Sequence, residues 1–116
     1  MTTKQREEWL AQVRRGLLEL CVLTLIDQQP TYGYELVTRL AQTPQLAAGE
    51  GTVYPLLRRL RRDGLLSTTW KESAAGPPRQ YYELTAGGSQ HLQTLHHDWA
   101  AIVDAVQINL AAGRGQ

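Results

Sequence analysis

The sequence predicts a mainly α fold with one small β-hairpin, an α+β arrangement, on three observations. Residues 52–62 hold four arginines beside apolar residues at helical spacing. Two short β-rich runs, residues 67–70 and 80–84, flank a loop containing glycine and proline. A final stretch, residues 86–110, spaces its apolar side chains by three and four. Leading helices, a basic helix, a hairpin and then a long helix follow the order of a winged helix-turn-helix with a C-terminal dimerisation helix. With 116 residues the chain has material for a single core. Residues 1–85 are expected to form the winged helix-turn-helix domain, including the N-terminal helix, and residues 86–116 the dimerisation helix and a frayed tail.

The first helix is expected over residues 4–28, polar at its start and apolar from residue 17 to residue 26. Gln29-Pro30-Thr31 breaks it, because proline disfavours helical geometry in the residue before it. A second helix follows over residues 33–42, with Tyr34, Val37, Leu40 and Ala41 at core spacing, and residues 43–51 connect it to the basic helix. There, at about 100° per residue, Val53, Leu56, Leu57 and Leu60 share one sector while Thr52, Pro55, Arg58, Arg59 and Arg62 share the other. Thr52 reads as the N-cap, Pro55 as a first-turn proline, and Gly64 as the left-handed residue that turns the chain toward the hairpin. In the hairpin Tyr82 and Leu84 alternate onto the core face, while Lys71 and Arg79 fall near the tip. Thr85 caps the last helix. Its stripe of Leu92, Leu95, Trp99, Ile102 and Val106, widened by Val103 and Leu110, approaches a coiled-coil seam. Residues 111–116 are expected to fray.

The formal charge is only +1, so any attraction for nucleic acid is local. It is concentrated on the basic helix, which lacks acidic residues, with Glu7, Glu8, Glu19, Glu35, Asp98 and Asp104 in flanking helices. The shared angular sector assigns Arg58 and Arg62 to the major groove of double-stranded DNA and Thr52 and Arg59 to phosphates. Tyr54, at the flank, is expected to pack against the second helix and to offer its hydroxyl to a phosphate. Lys71 and Arg79 would make the wing a backbone or minor-groove clamp. A winged helix serving only protein contacts is the rival reading, and four arginines clear of acidic neighbours favour DNA over it.

An enzyme is not expected, because no glycine-rich phosphate loop, nucleophile motif or zinc-ligand spacing is present. His91, His96 and His97 point along different lines of a helix and read as solvated or interface side chains rather than metal ligands. No cofactor is implied. Cys21 is the one cysteine, which excludes an intrachain disulfide and fits a reducing cytoplasm. The apolar run around it is interrupted by Glu19 and Thr24 and is too short for a membrane span of about 20 residues. With the leading helices and hairpin supplying one core, the stripe on the last helix needs another surface. A second copy of the chain supplies it most economically; folding back onto its own domain is the alternative.

Several blocks together resemble the PadR family of transcriptional regulators over nearly the whole chain. They are Gly16-Leu17-Leu18-Glu19-Leu20 with Val22-Leu23, Tyr32-Gly33-Tyr34-Glu35-Leu36, Gly51-Thr52-Val53-Tyr54-Pro55-Leu56-Leu57-Arg58-Arg59-Leu60 and Asp63-Gly64-Leu65-Leu66. The set is completed by Gly76-Pro77-Pro78-Arg79-Gln80-Tyr81-Tyr82-Glu83-Leu84-Thr85 and by Gly88. The resemblance implies a bacterial homodimer with an N-terminal winged helix-turn-helix, usually a repressor, binding a near-palindromic operator. The single final helix resembles the smaller members of that family. In a two-fold dimer Trp99 would approach Val13, Leu17 and Leu20, lining a cleft suited to a small planar aromatic effector, as the resemblance also implies. The alternative for Trp99 is a packed interface tryptophan.

Overall fold

The protein is described from a computed structural model covering residues 2–114. In chain order it forms α1 (Thr3–Gln28), β1 (Thr31–Tyr32), α2 (Gly33–Ala41), a 3₁₀ turn (Pro44–Leu46), α3 (Glu50–Arg62), β2 (Leu66–Ser73), β3 (Gly76–Leu84) and α4 (Ala86–Arg114). The strands form one antiparallel sheet in the order β1-β3-β2. The fold class is the expected one, four helices with a small sheet as a winged helix.

The core gathers one face from every layer. Leu18, Val22, Leu23 and Ile26 of α1 meet Leu36 and Leu40 of α2, Val53, Leu57 and Leu60 of α3, and Leu66 and Tyr82 of the sheet. Fully burying such side chains stabilises the fold by about 1.5–3 kcal/mol each, before the entropy of ordering them. Leu92 of α4 joins this core at 8% exposure, and Leu95 packs against it. Leu92 is therefore used within its own chain and not in a dimer seam. The first turns of α4 dock on α1 and β3, so the stripe read as one seam divides between two surfaces. In α2 the buried apolar side chains are Leu36 and Leu40, whereas Tyr34 is 60% exposed and Ala41 is also exposed. Leu40 is buried and Val37 packs against the core as expected, while Tyr34 and Ala41 turn outward and Leu36 takes the inner place.

The joints around α3 explain its placement. Gly64 adopts φ 78°, and the amides of Gly64 and Leu65 donate to the carbonyls of Arg61 and Leu60, so the helix ends in a complete Schellman motif. The Thr85 hydroxyl donates to the Gly64 carbonyl at 2.6 Å and accepts from the Gly88 amide at 3.0 Å, capping α4 as expected. Gly88 lies against the Leu65 carbonyl; a Cβ there would come within 3.0 Å of Leu65 C and closer still to its oxygen. One threonine and two glycines thus lock the end of α3 to the start of α4.

Four features differ from expectation. α3 begins at Glu50 with Gly49 as its N-cap, so Thr52 stands inside the first turn and Pro55 lies inside the helix. The missing Pro55 N–H frees the Gly51 carbonyl, which an exposed segment can leave to solvent. The hairpin is longer than its β-rich runs: β2 and β3 pair from Leu66↔Leu84 out to Ser73↔Gly76, with a register irregularity between Lys71 and Ser73. β1, two residues long, pairs Thr31↔Tyr82 and Tyr32↔Tyr81, too short for any periodic signal. At the far end, α4 continues through Arg114, so residues 111–114 are helical, while the rest of the tail lies outside the described residues.

Candidate nucleic-acid interface

Val53, Leu57 and Leu60 anchor α3 to the core, which turns Thr52, Pro55, Arg58 and Arg62 outward. Arg62 is 73% exposed and lies 3.5 Å from Asp63, a contact too exposed to hold it in place. Arg61, passed over in the sequence reading, is also exposed, on the flank that faces the sheet. There Arg58 and Arg61 act on Tyr82, whose phenol is nevertheless pushed up, first by burial. Leu56 is half-buried at the opposite flank.

Arg59 departs from the expected phosphate role. Its Nη2 lies 2.5 Å from Glu19 Oε1 and its Nη1 lies 3.7 Å from Asp63 Oδ2, so it turns toward α1. Glu19 also meets His91 Nε2 through its second oxygen at 2.6 Å. One carboxylate therefore joins α1, α3 and α4 across sequence separations of 40 and 72 residues. Burial alone would raise the Glu19 pKa, but hydrogen bonds from His91 and Arg59 outweigh it and hold the carboxyl below its ordinary range. Periodicity could not show this contact, because it depends on how three helices cross.

Tyr54 packs its ring over Gly33 at the start of α2; a Cβ on Gly33 would lie 2.7 Å from Tyr54 Cζ. Its phenol is pushed up by burial and by the Glu50 carboxylate. The packing role is thus visible, with the hydroxyl at the edge of the same face.

Lys71 and Arg79 are cross-strand partners and not tip residues, since the turn is made by Ala74 and Ala75. Both are exposed, and both lie over aromatic rings. Lys71 Nζ is 4.7 Å from the centre of Tyr81, and the Arg79 guanidinium is 4.5 Å from that of Tyr32, whose hydroxyl accepts from it at 3.1 Å. Tyr32 and Tyr81 meet edge to face at 5.2 Å. Each cation–π contact contributes about 0.5–1 kcal/mol, enough to bias the cation's position yet little enough to yield to a phosphate. The opposite face of the hairpin carries Thr68, Trp70, Gln80 and Tyr82, and Trp70 stands 66% exposed beside α3.

Away from the basic face, α4 leaves an apolar ridge bare. Trp99 is 39% exposed, Ile102 53%, Val106 49% and Leu110 56%, with Trp9 and Val13 of α1 similarly open, while Ile108, 70% exposed, lies on the opposite side of α4. Where α4 crosses α1 and α3 there is a cleft of about 350 Å³ whose walls include Leu17, Leu20, Leu56, Leu95, Trp99 and Ile102. Three of the four residues assigned to an effector site meet there. Val13, one turn nearer the start of α1, is not among its walls. Among the described residues no three His, Cys, Asp or Glu side chains gather as a metal site. Among the same residues no helix is long and apolar enough to cross a membrane.

Residues 22–94 match the profile of the transcriptional regulator PadR-like family. The chain is similar to the crystal structure of a PadR family transcriptional regulator from Eggerthella lenta, with 34% identity, TM-score 0.83 and coverage of 92% of this chain and 93% of that one. It is also similar to a PadR-like transcriptional regulator from Bacillus cereus, with 37% identity, TM-score 0.77 and coverage of 85% and 96%. A PadR-like transcription factor from Bacteroides, described as "bacteroid fragilis", shares 41% identity, with TM-score 0.70 and coverage of 84% and 93%.

Proposed function

The chain belongs to the PadR-like family of transcriptional regulators, and from that premise we propose that it is a cytoplasmic, homodimeric repressor reading a near-palindromic operator. The observation that carries the proposal is the outward face of α3, where Arg58 and Arg62 lie one turn apart, opposite Val53, Leu57 and Leu60. Arginine at that place can donate in bidentate fashion to a guanine edge, and one such pair discriminates by about 1–3 kcal/mol. Thr52 and Tyr54 flank these arginines as phosphate ligands, and two such helices would meet half-sites about 34–36 Å apart. Selection of fragments from the source genome, followed by footprinting, would give the operator. The Arg58→Ala, Arg62→Ala variant is expected to lose operator affinity and sequence preference together. Unchanged operator binding by that folded variant would exclude α3 as the reading element.

A second reading concerns regulation. The cleft bounded by Leu17, Leu20 and Trp99 also has Arg15, Glu19, Arg59 and Asp98 in its walls and reaches Leu56 of α3, so a planar aromatic molecule with a polar edge seated there would touch the reading helix directly. Such a ligand releases DNA only if it favours a geometry unable to bind the operator. Emission from a variant retaining only Trp99, titrated with planar aromatics in parallel with operator binding, tests it; neither signal moving across a broad panel would leave Trp99 as interface packing.

A further inference from the structure

We propose that the cleft between the wing and the start of α2 seats the sugar-phosphate backbone of the bound duplex, with Trp70 and Tyr34 packing against deoxyribose. The cleft has a volume of about 430 Å³, and its walls include Tyr34, Tyr54, Arg58, Trp70, Arg79 and Gln80. The inference rests on the DNA-binding reading and adds to it two aromatic side chains that neither core packing nor the arginine pattern explains.

Trp70 and Tyr34 are 66% and 60% exposed, while the adjacent Tyr82 is 6% exposed. Trp70 pairs with Gln80 and shares the hairpin face of Thr68 and Tyr82, so it points toward α3 and away from the face holding Lys71 and Arg79. Tyr34 approaches the same space from the second residue of α2. Exposed aromatic surface at this scale costs free energy unless a partner covers it.

The charge of the walls selects the partner. Among the described residues the charged walls of the cleft are Arg58 and Arg79, with no carboxylate beside them, and Arg58 is the cation on the Trp70 side, since the Arg79 guanidinium lies over Tyr32 on the other face of the hairpin. Arg58 belongs to both this cleft and the outward face of α3, so the two surfaces are continuous. A helix of about 10–12 Å diameter nearly fills a major groove about 12 Å wide, leaving a sugar-phosphate rim beside each flank of the helix. On the flank of Tyr54 and Arg58 that rim meets this cleft. Deoxyribose offers C–H surface to the rings, the positive charge of Arg58 favours the neighbouring phosphates, and the indole N–H is a further donor. Contacts of this kind are blind to sequence.

Mixed-sequence 30-base-pair duplexes are therefore the appropriate probe, with binding read by fluorescence anisotropy across a salt series. Trp70→Ala and Tyr34→Ala are each expected to weaken binding about fivefold, as if about 40 Å² of apolar surface were left wet. Neither should change the salt slope, whereas Arg58→Ala should lower it by about one, because on mixed-sequence duplex this arginine meets phosphate in place of its guanine edge. A variant with Trp9→Phe and Trp99→Phe reports Trp70 alone, and saturating duplex should change its emission. Parent-like affinity in both alanine variants, or unchanged Trp70 emission with duplex bound, overturns the cleft assignment while the effect of Arg58→Ala keeps the α3 reading intact. A parent protein that binds no duplex at low salt overturns both together.

Discussion

Glu19 decides what Arg59 is free to do. An arginine on a basic helix reads as a phosphate ligand, yet this one spends its hydrogen bonds on a carboxylate that also holds His91. Arg59 and Glu19 side chains are 43% and 22% exposed, so their attraction is partly screened, and Glu19→Gln is expected to destabilise the fold by about 1 kcal/mol. The sign of the pH dependence follows from the lowered Glu19 pKa. A carboxyl with a folded pKa below its unfolded value adds stability at pH above about 4.3 and loses it as pH falls through the folded value. Urea unfolding of parent and Glu19→Gln should therefore differ at neutral pH and converge in acid. A constant difference down to the acid limit would mean that the charge of Glu19 is not what holds the three helices. In DNA binding, Arg59→Ala should leave the salt slope nearer the parent's than Arg58→Ala does.

At the scale of elements, the wing is a cation-bearing ribbon stiffened by aromatic rings. Lys71 and Arg79 face each other across β2 and β3, and each is held over a tyrosine on the side of the hairpin away from Trp70. Pro77 and Pro78 are tolerated because β1 pairs only with Tyr81 and Tyr82, which leaves one edge of β3 free farther out, and because pairing with β2 is irregular between Lys71 and Ser73 on the other edge. The double variant Lys71→Gln, Arg79→Gln is expected to lower the salt slope by up to about two and to shrink hydroxyl-radical protection at the outer edge of each half-site. Protection identical to the parent's would remove the wing from the interface. The same element shows how far its sequence could be read. Two β-rich runs located the hairpin, but the intervening residues resembled loop because glycine and proline have low strand propensity, and pairing overrode that preference.

For the whole molecule, the longest dimension of 60 Å reflects α4 extending beyond the body. The bare residues Trp99, Ile102, Val106 and Leu110 on one side of α4 are large and apolar, and the core is complete without them. A second copy covering this ridge would fix the separation of two α3 helices, so dimerisation and operator geometry become one property. Ile102→Asp with Val106→Asp tests this cleanly, because both side chains are exposed in the single chain and their loss leaves its core intact. The variant is expected to keep the parent's helical signal, to sediment as a monomer, and to bind operator at least tenfold more weakly, since two half-sites are no longer engaged by one particle. Sedimentation of the parent as a monomer at micromolar concentration would sink the dimer. Leu95 is unsuitable for the same test, as it packs against the core.

The sequence by itself determined the four helices, the hairpin and the identity of the basic helix. Apolar residues recurring at helical spacing, a glycine able to adopt positive φ at position 64 and a threonine cap at position 85 are local properties, and local properties survive without knowledge of neighbours. The family resemblance was legible for the same reason, carried by contiguous blocks. Tertiary structure alone decided which of several equivalent side chains did which work. Tyr34 was read as a core position of α2 and Leu36 was not, yet packing buried Leu36 and left Tyr34 outside. Leu92 and Ile102 belonged to one stripe, and docking of the first turns of α4 assigned Leu92 to the core and left Ile102 outside. Arg58 and Arg59 were adjacent cations, and a carboxylate 40 residues away turned one of them inward. Periodicity fixes a side chain's angle about its own axis, whereas burial and pairing depend on what stands opposite, and only the packed chain supplies that.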